Sequence, residues 1–383
     1  MTPIAGAQAI SSAHGPLRHV LFCFPDEAAR RSAYRAAFAG LFVQLPAFTR
    51  ITVLAGPSVR GDLHDLLSAA GRDGRATVVV APDDLKFTVW AQDPFVAVED
   101  EDAQTWLVQP LEFQPEGDDA IAEVLAAQTT MLARRSSLCF EGGSVLVGDD
   151  FALLGRDCID AEARRGAEAF REILGRHRRI VVVGTDLTVP AETIRPVADE
   201  PARLESVYRG VGTAQPQLHL DMFVSLAGRP RRHRGSTGRY RLLVGSPRMA
   251  DEILGRPTPD HAMAALFDDV ADGLVAEGFD VIRNPLPLTY GDGRRRVEGM
   301  VRDVRLWYFA SSNNCLVQID QTEGNHVWLP TYGHGPWREL AATDHQNRSI
   351  WEELGFTVHQ LTSFHAFAQR LGAAHCITKF LSR

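Results

Sequence analysis

Four short segments carry the side chains that could do chemistry. They are Trp90-Ala-Gln-Asp93-Pro-Phe95, Phe140-Glu141-Gly-Gly143, Leu218-His219-Leu-Asp221-Met222 and Gly372-Ala-Ala-His375-Cys376-Ile-Thr378. Cys376 supplies a thiol, whose thiolate is the side-chain nucleophile best suited to a poorly electrophilic carbon. Asp93 and Asp221 supply two carboxylates, the natural receptor for a planar, permanently cationic guanidinium. His219 can protonate a departing nitrogen and later deprotonate a water. Glu141 is the acid that could hold such a histidine in one orientation and support its charged form.

Each segment is weak alone. Asp-Pro commonly punctuates the start of a strand, because the proline pushes the preceding residue into extended geometry. A Glu-Gly-Gly run is usually a turn, and its glycines let the backbone come closer than side chains would allow. On a strand, residues two apart share a face, so His219 and Asp221 are predicted to point together while Leu220 and Met222 face the core. A lone buried cysteine is most often a small hydrophobe. His375 is not paired with Cys376 on sequence grounds, since neighbours in an extended loop diverge. Together, however, the four segments supply a complete set for displacement at a guanidinium carbon.

The elements that must position them recur as two strands, a helix and a strand. One unit reads Phe140–Leu154 as a hairpin, Ala161–Leu174 as a helix and Ile180–Val183 as a strand. A second reads His219–Leu226, Tyr240–Val244, helix Asp260–Glu277 and Phe279–Arg283. A third reads Asn314–Ile319, His326–Pro330, helix Ser349–Glu353 and Phe356–Leu361, and a fourth Asp93–Val98, Trp106–Gln109 and helix Asp118–Ala133. Val20–Phe24, Ile51–Leu54, Thr77–Val80 and Ile377–Leu381 close a fifth. Self-similar units of this kind predict a pseudosymmetric α/β ring. Residues 1–15 are expected to be a flexible tail and 16–383 one catalytic domain. The arginine-rich stretches 229–239 and 294–296 read as exposed, mobile hairpin tips.

The composition is that of an ordinary globular protein, 45% hydrophobic and 23% charged. A net charge of −8 argues against a nucleic-acid partner. No apolar stretch approaches the roughly 20 residues that span a bilayer, and no secretory leader is evident. The five cysteines are scattered without a CxxC, which excludes a disulfide framework and predicts a cytoplasmic protein.

The four motifs, in this order, resemble those of the guanidino-group-modifying, or pentein, superfamily. That family includes the arginine, agmatine and peptidylarginine deiminases and the amidinotransferases. The His-Cys-Ile-Thr segment is most similar to agmatine deiminases, while the Asp-Pro-Phe and His-Leu-Asp segments look more like arginine deiminases. The resemblance implies a five-bladed α/β propeller of ββαβ units, with Cys376 as nucleophile and His219 as general acid and base. It also implies that Glu141 pairs with His219, and that Asp93 and Asp221 grip the guanidinium. The implied activity is a hydrolase that needs no metal or organic cofactor. Its substrate would be a small cation such as arginine, agmatine or a derivative, and it would act through a covalent thiouronium intermediate with loss of ammonia. Three departures bear on the substrate: Gln92 where many relatives have arginine, Leu218 before the His-x-Asp, and Leu371-Gly-Ala-Ala374 in place of a glycine-rich lead-in. Two alternatives stay open: an amidinotransferase, and a non-catalytic binding protein of the same fold. A zinc site from His219, Asp221 and Cys376 suits by ligand type but has no local ligand cluster. Arg232, Arg295 and Arg305 are the candidates for a substrate carboxylate, and a homodimer is the default assembly.

Overall fold

The computed structural model describes residues 4–113, 117–161, 166–197, 200–207, 214–230, 238–256 and 261–383. The chain is α/β, and its described strands form six sheets. Five of them share one plan: an antiparallel pair, a helical crossover and a third strand parallel to the second.

The first unit joins Thr378–Ser382 to His19–Phe24, then Arg50–Ala55 and Ala76–Val80. The second is Val96–Glu99, Thr105–Gln109 and Leu132–Arg135, with Gln8–Ala9 added outside. The third is Val145–Val147, Phe151–Gly155 and Arg179–Val183. The fourth is Val224–Gly228, Arg241–Ser246 and Asp280–Pro285. The fifth is Leu316–Gln318, His326–Pro330 and Thr357–Leu361.

The crossovers follow from their sequences. In helix Ser32–Gln44 the residues Tyr34, Ala37, Phe38, Leu41 and Phe42 recur at three- and four-residue spacing, and all are buried. Helix Pro247–Leu254 starts with Pro247 after Ser246, whose side chain accepts from the Met249 amide at 3.2 Å, and ends at the left-handed Gly255.

Several expectations are revised. The sixth sheet, in the order Thr193–Val197, Glu200–Val207, Met300–Phe309, Leu288–Val297, has no counterpart in the repeat. It takes up Arg294–Arg296, predicted as a mobile tip, into a ten-residue strand with Arg295 opposite Arg302. The expected helix Asp118–Ala133 stops at Gln128, and Leu132–Arg135 is a strand, because the chain must return parallel to Thr105–Gln109. The expected strand His219–Leu226 begins only at Val224. Leu220–Met222 is a 3-10 turn instead, closed by Met222 N donating to His219 O and Phe223 N to Leu220 O. Of the stretch 229–239, residues 231–237 lie outside the described residues.

The first unit's core is aromatic. Phe38 meets Phe22, Phe24, Phe42 and Phe367, with ring centroids 5.1 to 6.4 Å apart. Phe38→Ala is expected to cost about 3–5 kcal/mol of unfolding free energy, measured by urea titration, since a fully buried ring is lost from four neighbours.

Candidate active site

Each unit's first strand is preceded by a short irregular lead-in, and each lead-in delivers one part of a single cluster. Asp93 precedes Val96–Glu99, and Glu141 precedes Val145–Val147. His219 and Asp221 precede Val224–Gly228, Asn314 precedes Leu316–Gln318, and Cys376 precedes Thr378–Ser382. Sequence reasoning identified four of these five positions and missed Asn314. The signal for it was positional: it occupies in the fifth unit the place that the other residues of the cluster hold in theirs.

The thiol is buried, with Cys376 1% exposed. Asn314 Nδ2 donates to Cys376 Sγ at 3.0 Å, while Asn314 Oδ1 accepts from the amides of Ala373 and Cys376 at 2.9 and 3.1 Å. One side chain therefore shapes the loop that carries Cys376 and touches its sulfur. Asp221 Oδ2 lies 3.6 Å from the sulfur and accepts from His375 Nδ1 at 2.7 Å. His375 thus does turn towards the site, and it fixes one oxygen of Asp221. Burial raises the Cys376 thiol well above its ordinary range, and the Asp221 and Asp93 carboxylates push in the same direction.

His219 sits between two acids. Its Nε2 bonds Glu141 Oε2, and its Nδ1 faces Asp93 Oδ1 at 3.5 Å. Burial works against a charged imidazole, but the carboxylates of Asp93, Glu141 and Asp221 outweigh it and raise the group to about 10. The ring is therefore an imidazolium at neutral pH. Asp93 is raised to about 7 by burial and by Asp221 and Glu141, with His219 and Lys379 pulling the other way. The Glu141 side chain is 42% exposed, so it is the edge of the cluster nearest to water.

The double glycine is required by space. A Cβ on Gly143 would lie 2.5 Å from His219 Nδ1 and 2.8 Å from Asp93 Oδ1, and one on Gly142 would lie 2.0 Å from Gln92 O. Freed of side chains, Gly142 N donates to Asp93 O at 2.9 Å and Gly143 N to Asp93 Oδ1 at 3.2 Å. Gln92 joins three lead-ins: its Nε2 donates to Gly142 O, its N to Cys376 O, and its O accepts from Lys379 Nζ at 2.8 Å. At the far side Gly372 lies against Trp90, whose ring would be 2.2 Å from a Cβ there.

The donor atoms of His219, Asp221 and Cys376 lie within 4.8 Å of one another, close enough to hold a metal. Both ring nitrogens of His219 are, however, turned to other acids, Nε2 to Glu141 Oε2 and Nδ1 to Asp93 Oδ1. Arg295 and Arg305 lie on the sixth sheet. Arg295 bonds Glu192 and Ser206, and Arg305 stacks 4.3 Å over Tyr290 and pairs with Glu200. Arg232 lies outside the described residues.

Comparison with known proteins finds no matching family model and no matching curated protein. Among solved structures, the chain is similar to a Northeast Structural Genomics target provisionally described as an agmatine deiminase. The TM-score is 0.61 at 13% identity, covering 98% of this chain and 95% of that one. It is also similar to the agmatine deiminase of C. jejuni, with a TM-score of 0.59 at 13% identity over 97% and 95% of the two chains. The α/β fold of those structures is therefore the fold of this chain, as the four motifs led one to expect.

Two outcomes follow from the geometry. Gly143→Ala should place a methyl inside the His219–Asp93 contact and abolish reaction at the site while far-UV circular dichroism stays native. Asn314→Ala should slow iodoacetamide alkylation of Cys376 by about tenfold or more, because a hydrogen bond to a developing thiolate is worth roughly 1.5–3 kcal/mol.

Proposed function

We propose that this chain is a cysteine hydrolase of a small guanidino compound, arginine- or agmatine-like, in which residues 16–383 form one catalytic domain of five units closed as a propeller. The observation that carries this reading is the cluster itself. A thiol, two buried aspartates and a charged histidine with its own acid converge from separate lead-ins, with the reactive atoms of Cys376, Asp221 and His219 within 4.8 Å. In both aspartates one oxygen is fastened, by Gly143 N in Asp93 and by His375 in Asp221, which leaves the other for a planar cation.

In this reading the guanidinium settles between Asp93 and Asp221. Its positive charge offsets the two carboxylates that hold the thiol's proton on, so substrate binding itself favours the thiolate. Cys376 Sγ gives up its proton to solvent and forms a bond to the central carbon, and His219 gives its proton to the departing nitrogen, whose bond to that carbon breaks as it leaves as ammonia. Water then attacks the thiouronium carbon and passes a proton to the now neutral His219. The C–S bond breaks, giving a ureido product and restoring the thiol. An amidinotransferase would differ only in admitting an amine at the second step. The partly exposed Glu141 leaves the His219 side of the cluster open to solvent, which favours hydrolysis. The four buried thiols of Cys23, Cys158, Cys315 and Cys376 fit a reducing, cytoplasmic setting, and no helix among the described residues is long and apolar enough to cross a membrane.

The test is ammonia release from arginine, agmatine, methylarginines and guanidinobutyrate without an acceptor amine. Cys376→Ser should reduce turnover to background while still binding the substrate cation, and turnover within tenfold of the parent would refute the assignment. Asp93→Asn and Asp221→Asn should each weaken that binding by roughly 1.5–3 kcal/mol. In the Cys376→Ser background, affinity should rise as pH increases through about 7, because Asp93 must lose its proton to act as a carboxylate. An affinity that is flat from pH 5.5 to 8.5 would contradict this.

A further inference from the structure

Helix Ala341–Glu353 buries a polar face: Thr343, Asp344 and Asn347 precede Ile350 and Trp351 on its buried side. None of the three belongs to the cluster around Cys376. Asp344 Oδ2 accepts from the amides of Tyr332 and Gly333 at 2.8 and 2.6 Å, and the Tyr332 hydroxyl donates to Ser311 O at 3.0 Å. Asn347 begins a second path. Its Nδ2 donates to Pro285 O at 3.0 Å, and its Oδ1 accepts from Asn284 Nδ2 at 2.8 Å. Asn284, near the end of strand Asp280–Pro285, and Asn313 then form a reciprocal amide pair, each Nδ2 donating to the other's Oδ1 at 3.0 Å. Both paths end on Ser311-Ser-Asn-Asn314, the lead-in of the fifth unit.

We propose that Asn284, Asn313 and Asn347 are positioning residues for the thiol: a chain of paired amides that fixes this lead-in and, through Asn314, sets the reactivity of Cys376. This rests on the guanidino reading above only in taking that sulfur as the nucleophile. Asn314 serves two sides of one loop, with Nδ2 on Cys376 Sγ and Asp221 O and Oδ1 on the amides of Ala373 and Cys376. It can do so only if its backbone is held. The residue before it does the holding: Asn313 O accepts from Ser225 Oγ at 2.9 Å and from Cys315 N at 2.8 Å. The orientation of Asn313 is set at the far end of the chain. Pro285 O can only accept, so Asn347 turns its Nδ2 there and its Oδ1 to Asn284. Asn284 then presents one N–H to Asn347, and its second N–H and its Oδ1 complete the pair with Asn313 in a single sense. Every side-chain nitrogen and oxygen of the three amides has a partner, and a buried network so satisfied favours one arrangement. Gly245 makes room for it, since a Cβ there would lie 3.2 Å from Asn313 Oδ1. Packing alone does not ask for such a chain, because apolar groups of the same shape in place of all the partners cost little.

The test is the rate of iodoacetamide alkylation at Cys376, followed by peptide mass spectrometry as a function of pH. Asn284→Leu should slow alkylation by about threefold to tenfold, the effect of weakening one hydrogen bond to the sulfur, and move the midpoint of the pH profile upward. In an Asn314→Ala background the same substitution should change the rate by less than about 1.5-fold, because residues that act through one another are not additive. Asn347→Leu, at the other end of the chain, is carried through the same cycle and should act in the same direction. A role in structure alone predicts the opposite sign, since a loosened lead-in exposes the buried thiol and speeds alkylation. Faster or unchanged alkylation in Asn284→Leu, or in Asn347→Leu should the first variant not fold, overturns the proposal, and so does slowing that adds to that of Asn314→Ala. With agmatine or arginine as substrate, kcat should fall at unchanged KM, since Asp93 and Asp221 keep the groups that fasten them, Gly143 N and His375. A raised KM at unchanged kcat counts against the proposal. If the parent releases ammonia from neither compound, the guanidino reading fails, while the alkylation rates still decide this one.

Discussion

The constraint on which the rest of the structure depends is the confinement of several negative charges where there is almost no water. Asp93 and Asp221 are both buried, and a carboxylate out of water is costly unless it is neutralised. The protein meets that demand in layers. His219 is kept charged between Asp93 and Glu141, His375 is set against Asp221, and Lys379 stands behind. In the proposed reading the arrangement still favours one more flat cation, and the sulfur lies beside the place where it would sit.

Such a cluster could not be built on one element. It needs five lead-ins held in fixed positions, and the repeated sheets provide them. Every unit places its residue of the cluster at the same point, just before its first strand, while the strands themselves are spent on packing. Backbone amides complete the site, as Gly142 and Gly143 do for Asp93, which is why this corner tolerates no side chain. Asn314 has no charge to contribute, and its three bonds bring order to the loop that presents the thiol.

The chemically distinctive residues were legible in the sequence. Cys376, His219, Glu141, Asp93 and Asp221 do meet, and the two-strand, helix, strand repeat is visible in the apolar runs. The local path of the chain was less legible. Gln217 to Met222 alternates polar and apolar like a strand, yet Leu220–Met222 turns, with Met222 N donating to His219 O. Asn314 was hidden because asparagine in a Ser-Ser-Asn-Asn run looks like loop chemistry. Lys379 was hidden because a lysine within a terminal strand reads as its solvent side. The sixth sheet was missed because its strands are charged on both faces, with an exposed Arg294–Arg296 run that imitates a loop.

One pairing has a kinetic meaning. The strand that follows Cys376, Thr378–Ser382, finds its partner in His19–Phe24, so the first unit is fastened by contacts between segments far apart in the sequence. Contacts of such high order are entropically slow to make and late to form. A nascent or partly refolded molecule would hold its acids and imidazole in place with no sulfur among them. Reactivity would then switch on in a single late event rather than grow in with the rest of the fold.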